Sequence, residues 1–273
     1  MLVCLFIFKK QLDSNEKYVS AVNYYCSESL SLSMKRFIRA LDTEQLGCGY
    51  FFDSIRASSS PEATMAELIA SNGKADKQDL ERLKTEYIYY LKTVPKNLTD
   101  LLDYEPGSLN VLKMISSSFT HASWSHVIGN LIFFYVFAAA IEVVVGSLTY
   151  LGIIFVMTIT TSLAYSFSST GNANAVPTVG LSGIVMGMVA MLGVMLPRVK
   201  IKCFFWFIVI VRIFRIPALF LAIWYVGWDF YDMKHDRGSN VNYVAHVSGA
   251  LTGISFALFY VTSRKQFIKK LRK

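Results

Sequence analysis

Apolar and polar positions divide this chain into two regimes. Beyond residue 126, long apolar runs alternate with short polar ones, and a membrane-crossing helix needs about 20 mostly apolar residues. Val127–Gly146 carries one charge, Glu142, and Thr149–Ser169 carries none. Ser182–Pro197 is uncharged but only 16 residues long. The run Cys203–Trp228 is broken by Arg212, Arg215 and Pro217, so its best span lies from about Ile216 to Phe230, and Cys203–Phe207 is expected at the membrane interface. Val244–Thr262 is the last run. These patterns predict five spanning helices. Met1–Phe8 is a further apolar stretch, but eight helical residues rise only about 12 Å. It reads as the end of a first helix whose beginning lies outside this sequence; a signal peptide fits worse, because Lys9 and Lys10 follow the run instead of preceding it.

Residues between these runs are patterned differently. Ser60-Pro61-Glu62 is a helix start with proline first. Leu80, Leu83, Tyr87 and Leu91 recur at helical spacing after Lys77-Gln78-Asp79, and Tyr104-Glu105-Pro106-Gly107 is a turn. The expected organisation is therefore a remnant of a first membrane helix (1–8), an outer-face segment with a helical insertion (9–125), a membrane core (126–262) and a basic tail (263–273). The fold class is an all-α polytopic membrane protein.

Composition agrees with a membrane and removes other classes. Hydrophobic residues make up 53% of the 273, charged residues only 17%, and mean hydropathy is +0.41; a soluble domain carries about 25% charged residues. The net charge of +8 suggests nucleic acid until it is located: residues 9–118 hold 14 Lys/Arg against 15 Asp/Glu, and the excess sits among the apolar runs. Nucleic acid is therefore not an expected partner; the lipid bilayer is. Four cysteines are too few for a disulfide scaffold. Cys26 and Cys48 admit either a disulfide, in an oxidising compartment, or two separate thiols.

Lys/Arg placement sets orientation. Arg198, Lys200, Lys202, Arg212 and Arg215 form one cluster; Arg264, Lys265, Lys269, Lys270, Arg272 and Lys273 form another, two spans later. Both then lie on one face, the cytoplasmic one, and residues 9–125 and the loops 170–181 and 231–243 lie on the outer face.

Polar groups inside spans are costly and mark function by default. His126 and Asn130 sit at the start of one span, Ser182 opens another, and His246 opens a third. All three helices run inward from the outer face, which places these residues at one depth. A serine, an imidazole and a His/Asn donor pair suit acyl transfer. Ser182 needs a base to take its proton, His246 is that base, and Asn130, His126 and the Ser182 amide are donors for a tetrahedral oxyanion. Asp229, Asp232 and Asp236 fall in or beside the outer loop and Glu142 near the other face, so a Ser–His dyad without a third member is expected. Gly183/Gly187 and Gly249/Gly253 form small-residue faces just inward of Ser182 and His246, which would let the two helices approach closely.

The stretches Phe119-Thr120-His121 to His126-Val-Ile-Gly-Asn130, Gly180-Leu-Ser182-Gly183 and Ala245-His246-Val-Ser-Gly249-Ala-Leu-Thr-Gly253 resemble rhomboid intramembrane serine proteases over roughly residues 110–262. Leu196-Pro197-Arg198 to Pro217-Ala218 resembles a bacterial-type rhomboid segment. The resemblance implies a six-helix bundle, here with a truncated first helix, in a bacterial inner membrane with the site facing away from the cytoplasm. It further implies cleavage of transmembrane protein substrates by Ser182 and His246, with His126, Asn130 and Gly180 around the oxyanion. No metal and no cofactor are implied, and the penultimate helix and the loop above the site would gate entry. Two features depart from the family pattern: residues 9–109 contain an insertion, and Met186 stands where a tyrosine often stacks on the base. Glu142 matches a carboxylate of structural role. The alternative from another class is a non-catalytic rhomboid-like protein that binds membrane clients; the presence of both Ser182 and His246 speaks against it. A zinc protease fits poorly, because His121 and His126 are five apart and no Glu follows the first.

Overall fold

The computed structural model describes residues 1–42, 45–58, 60–71, 76–172, 175–207, 210–235, 241–264 and 271, without the side chains of 204–211. Asp236 and the tail residues Lys265, Lys269, Lys270, Arg272 and Lys273 lie outside that set. The chain divides into two compact units, one of residues 9–101 and one of residues 1–8 with 102–273.

Helix α1 (Leu2–Tyr24) contributes to both, since it does not stop at Phe8. The polar residues from Lys9 onward contain no Pro or Gly, so nothing ends the helix before Tyr24. In the 9–101 unit a π-helical turn (Tyr25–Ser29) leads to α2 (Leu32–Leu41), capped by Ser31, whose Oγ accepts from Met34 N. Then follow α3 (Cys48–Ala57), α4 (Pro61–Ser71), α5 (Lys77–Thr93) and α6 (Leu98–Leu102). Helix α4 starts on Pro61, and α5 starts on a reciprocal Asp76/Asp79 cap. Tyr90, not Leu91, belongs to the buried face of α5: Leu91 is exposed, whereas the Tyr90 hydroxyl donates to Asp53 Oδ1 at 2.9 Å. Cys26 and Cys48 are joined in a disulfide.

The second unit contains α7 (Val111–Phe119), α8 (Trp124–Phe133), a π turn (Phe134–Ala138), α9 (Ala139–Val145), α10 (Ser147–Ser168), α11 (Ser182–Met195), α12 (Ala218–His235) and α13 (Tyr243–Ser263). Trp124–Val145, Ser147–Ser168 and Tyr243–Ser263 are each long and apolar enough to cross a membrane, and Ser182–Met195 is a shorter apolar helix. Of the 14 residues of α11, 12 are buried, so this helix is enclosed by protein and not by lipid. At about 1.5 Å per residue it spans about 21 Å, less than the ~30 Å hydrocarbon core. Its two ends therefore cannot both reach the membrane surfaces.

The predicted faces of α11 and α13 meet. A Cβ built on Gly249 would overlap the carbonyl oxygen of Gly183, and one on Gly253 that of Gly187. Reciprocally, one on Gly187 would lie 2.9 Å from Gly249 O. The backbones touch, and only glycine permits it.

Of the five expected spans, three are helices of crossing length among the described residues, and the segment before α12 differs as well. The segment before α12 is a β-hairpin, β1 (Lys200–Phe207) against β2 (Ile210–Pro217), antiparallel from Lys200↔Pro217 to Phe207↔Ile210. Its Ile, Val and Phe content suits a ladder, and α12 starts only after Pro217, the residue that cannot donate within a helix.

Candidate active site

Three helix N-termini and one strapped loop build the site. Ser182 is the first residue of α11, and that helix has no side-chain cap, so the amides of its first turn are available to an anion. The loop ahead of it is held at three points. Thr178 exchanges backbone hydrogen bonds with Tyr104 at 2.9 and 3.1 Å; Gly180 N donates to Ser117 O at 2.9 Å; and Asn242 Nδ2 donates to Thr178 Oγ1 at 3.1 Å. Asn242 also caps α13 by accepting from Ala245 N. One side chain thus ties the serine loop to the start of the histidine helix.

Gly180 occupies left-handed backbone, with φ +122°. A Cβ there would fall 2.7 Å from His126 Nε2 and 3.7 Å from Asn130 Nδ2. Glycine is required on both counts, and its presence lets His126 and Asn130 lie against the loop that carries Ser182. Ser123 caps α8 through His126 N. The Ala122 amide reaches His126 Nδ1 at 3.5 Å, a long bond that favours the tautomer with a proton on Nε2, the atom facing Gly180. Asn130 is 8% exposed, and its buried Nδ2 has no hydrogen-bond partner among the described residues.

His121 packs edge-to-face on His126, ring centroids 5.1 Å apart. Burial, and then the neighbouring His126, push the His121 imidazole down to about 4, so it is neutral at ordinary pH.

His246 lies in the first turn of α13, half-buried, as is Ser182. Beside these two residues the helices are in contact: a Cβ on Gly183 would sit 3.0 Å from Ala245 O. Ser182, Gly180 and Ala245 also line a small cavity of about 20 Å³ whose walls include Ser117, Ser118 and Ser162. That is room for one water among hydroxyl partners.

The sequence reading left one residue out. Asp229, assigned to the edge of the outer loop and away from the histidine, sits within α12, and its Oδ2 accepts from His246 Nδ1 at 3.0 Å. The signal was available, since Asp229 is an acid inside a predicted apolar run. Glu142 Oε1 accepts from Ser147 Oγ at the α9–α10 turn. Among the described residues, no cluster of three or more His, Cys, Asp or Glu is arranged to hold a metal ion.

Chemically, the arrangement offers a hydroxyl, an imidazole with an acidic partner, an Nε2–H and an amide Nδ2 donor, and free helix-terminal amides. No individual curated protein matches the chain. A family model, the Rhomboid domain, matches residues 108–263. That match covers more than half of the chain and every helix from α7 to α13, and the chain belongs to the rhomboid family.

Proposed function

We propose that this integral membrane rhomboid is an intramembrane serine endopeptidase that cleaves transmembrane proteins. The observation that carries the reading is the convergence of the three helix starts: Gly180 against His126 and Asn130 on one side, and Gly183 against Ala245 on the other. Ser182 attacks the scissile carbonyl while His246 takes its proton. The tetrahedral oxyanion then receives the Ser182 amide, His126 Nε2–H and Asn130 Nδ2, with Gly180 leaving room for them. His246 returns the proton to the leaving amine, and water completes hydrolysis of the acyl-enzyme. The hydroxyl-lined cavity beside Ser182 supports a supply of that water within a lipid-embedded site. None of these steps requires a cofactor.

The membrane is proposed to be a bacterial inner membrane, with the site facing away from the cytoplasm. The Lys/Arg clusters support that orientation. So does the Cys26–Cys48 disulfide in the segment assigned to the outer face, because disulfides persist in oxidising compartments.

The test is cleavage of single-span membrane proteins co-reconstituted with the full chain in liposomes. Ser182-dependent products, absent with Ser182→Ala at unchanged folding, are expected. Equal cleavage by wild type and Ser182→Ala would contradict the mechanism, and client binding without any cleavage would favour the non-catalytic reading.

A further inference from the structure

We propose that Asp229 is a positioning residue for His246, so that a Ser182–His246–Asp229 relay supports the catalytic Ser182–His246 pair. The inference rests on the peptidase reading above and extends it. His246 Nδ1 and Asp229 Oδ2 are 3.0 Å apart, and the two side chains are only 13% and 17% exposed. The acid comes from the middle of α12 and the base from the first turn of α13, so the contact is made by the fold and not by neighbours in sequence. An ionisable side chain in an apolar helix is costly unless it has a partner, and here the partner is the imidazole in the first turn of α13. Tyr243 packs edge-on to the same ring at 6.2 Å. It gives the imidazole a wall, whereas Asp229 gives Nδ1 an acceptor.

The consequence is a fixed tautomer. With Nδ1–H donated to Asp229, the lone pair of Nε2 is free to take the Ser182 proton. As the serine oxygen bonds to the substrate carbonyl carbon, the hydroxyl proton moves to Nε2. The imidazolium so formed stays hydrogen-bonded to the Asp229 carboxylate, which remains ionised throughout. The proton on Nε2 then passes to the departing amine nitrogen as the C–N bond breaks. Asp229 touches neither substrate nor Ser182 in this scheme and acts only through His246. Because α12 carries the acid, the relay is complete only while α12 stays packed at the start of α13.

The experiment uses the full chain in detergent and a fluorophosphonate probe, with the maximal inactivation rate and the half-saturating concentration measured separately. Asp229→Asn keeps size and shape but presents an amide that stabilises the wrong tautomer. Its maximal rate is expected to fall by about 10²–10⁴-fold, with half-saturation within about threefold of wild type. Asp229→Glu, which keeps the carboxylate, is expected to recover at least tenfold of that loss.

Wild-type labelling rates in Asp229→Asn would overturn the relay and leave the Ser182–His246 pair intact. A loss shared equally by Asp229→Asn and Asp229→Glu, together with a lowered melting temperature in both, would also overturn it, because it would make the contact purely structural. If wild type is not labelled at Ser182 at all, the peptidase reading fails and the relay fails with it.

Discussion

Residues 9–101 and the unit of α7–α13 are held together by opposite means. In the first, the largest fully buried side chains are aromatic. Tyr25 meets Phe52 and Tyr90 edge-to-face at 5.5 and 5.1 Å, and Phe52 stacks on Tyr90 at 4.8 Å. Its polar centre is Asp53, which accepts from the hydroxyls of Tyr18 and Tyr90 and pairs with Arg56 at 3.6 Å. Burial and Asp53 push the Tyr18 hydroxyl up to about 12, so it remains a donor at any ordinary pH. A disulfide adds a cross-link. In the second unit the tightest contacts are made by glycines, and polar groups gather at the helix starts. Where apolar surface is expelled from water, large side chains supply the driving force. Where lipid is the solvent that force is missing, and close backbone approach takes its place. In such a setting, buried polar groups at one depth are the sign of chemistry.

Gly249→Val breaks the second means outright. The added atoms have nowhere to go but into the Gly183 carbonyl, and backbone cannot yield as a side-chain tip does. We expect a loss of more than about 3 kcal/mol, at or above the upper end of overpacking costs, read as loss of a cooperative melt in detergent. Gly152→Ala is the control. Nothing lies within 4 Å of its added Cβ, so the mid-helix change is expected to be neutral or mildly stabilising.

Asn130→Ala separates chemistry from packing in the same unit. Removing one oxyanion donor should slow serine acylation by about 10²–10³-fold. Among the described residues its Nδ2 has no hydrogen-bond partner to lose, so the melting temperature should move little. A large melting shift with unchanged rate would reassign Asn130 to the scaffold.

Reduction of Cys26–Cys48 probes the aromatic unit alone. Opening a loop of this size should cost about 3 kcal/mol, visible as faster hydrogen exchange in α2 and α3, the helices lying between or beside the two cysteines. Unchanged exchange there would mean that the aromatic cluster and Asp53 hold that unit without the cross-link.

Part of the membrane unit was legible because its rules are few. Apolar run length located the three helices long enough to cross a membrane, and four-residue glycine spacing identified the faces on α11 and α13. Asp229 is not legible as the partner of His246, because run length puts it at the end of a span near Phe230, whereas α12 continues to His235 and only its packing brings the acid to the ring. The hairpin was missed because Lys200–Pro217 mixes charged and aromatic residues with no clean alternation, and its pairing is decided by the partner strand. Tyr90 replaced Leu91 on the α5 core face because its acceptor, Asp53, comes from another helix, which periodicity cannot see.

The central claim is that Ser182 is an activated nucleophile in a lipid-embedded site. Fluorophosphonate labelling of detergent-purified wild type, Ser182→Ala and His246→Ala tests it most directly, with the adduct located by peptide mass. The account predicts one adduct, on Ser182, in wild type and none in either variant. Folded wild type that takes no label, or a label that persists in Ser182→Ala, would contradict it.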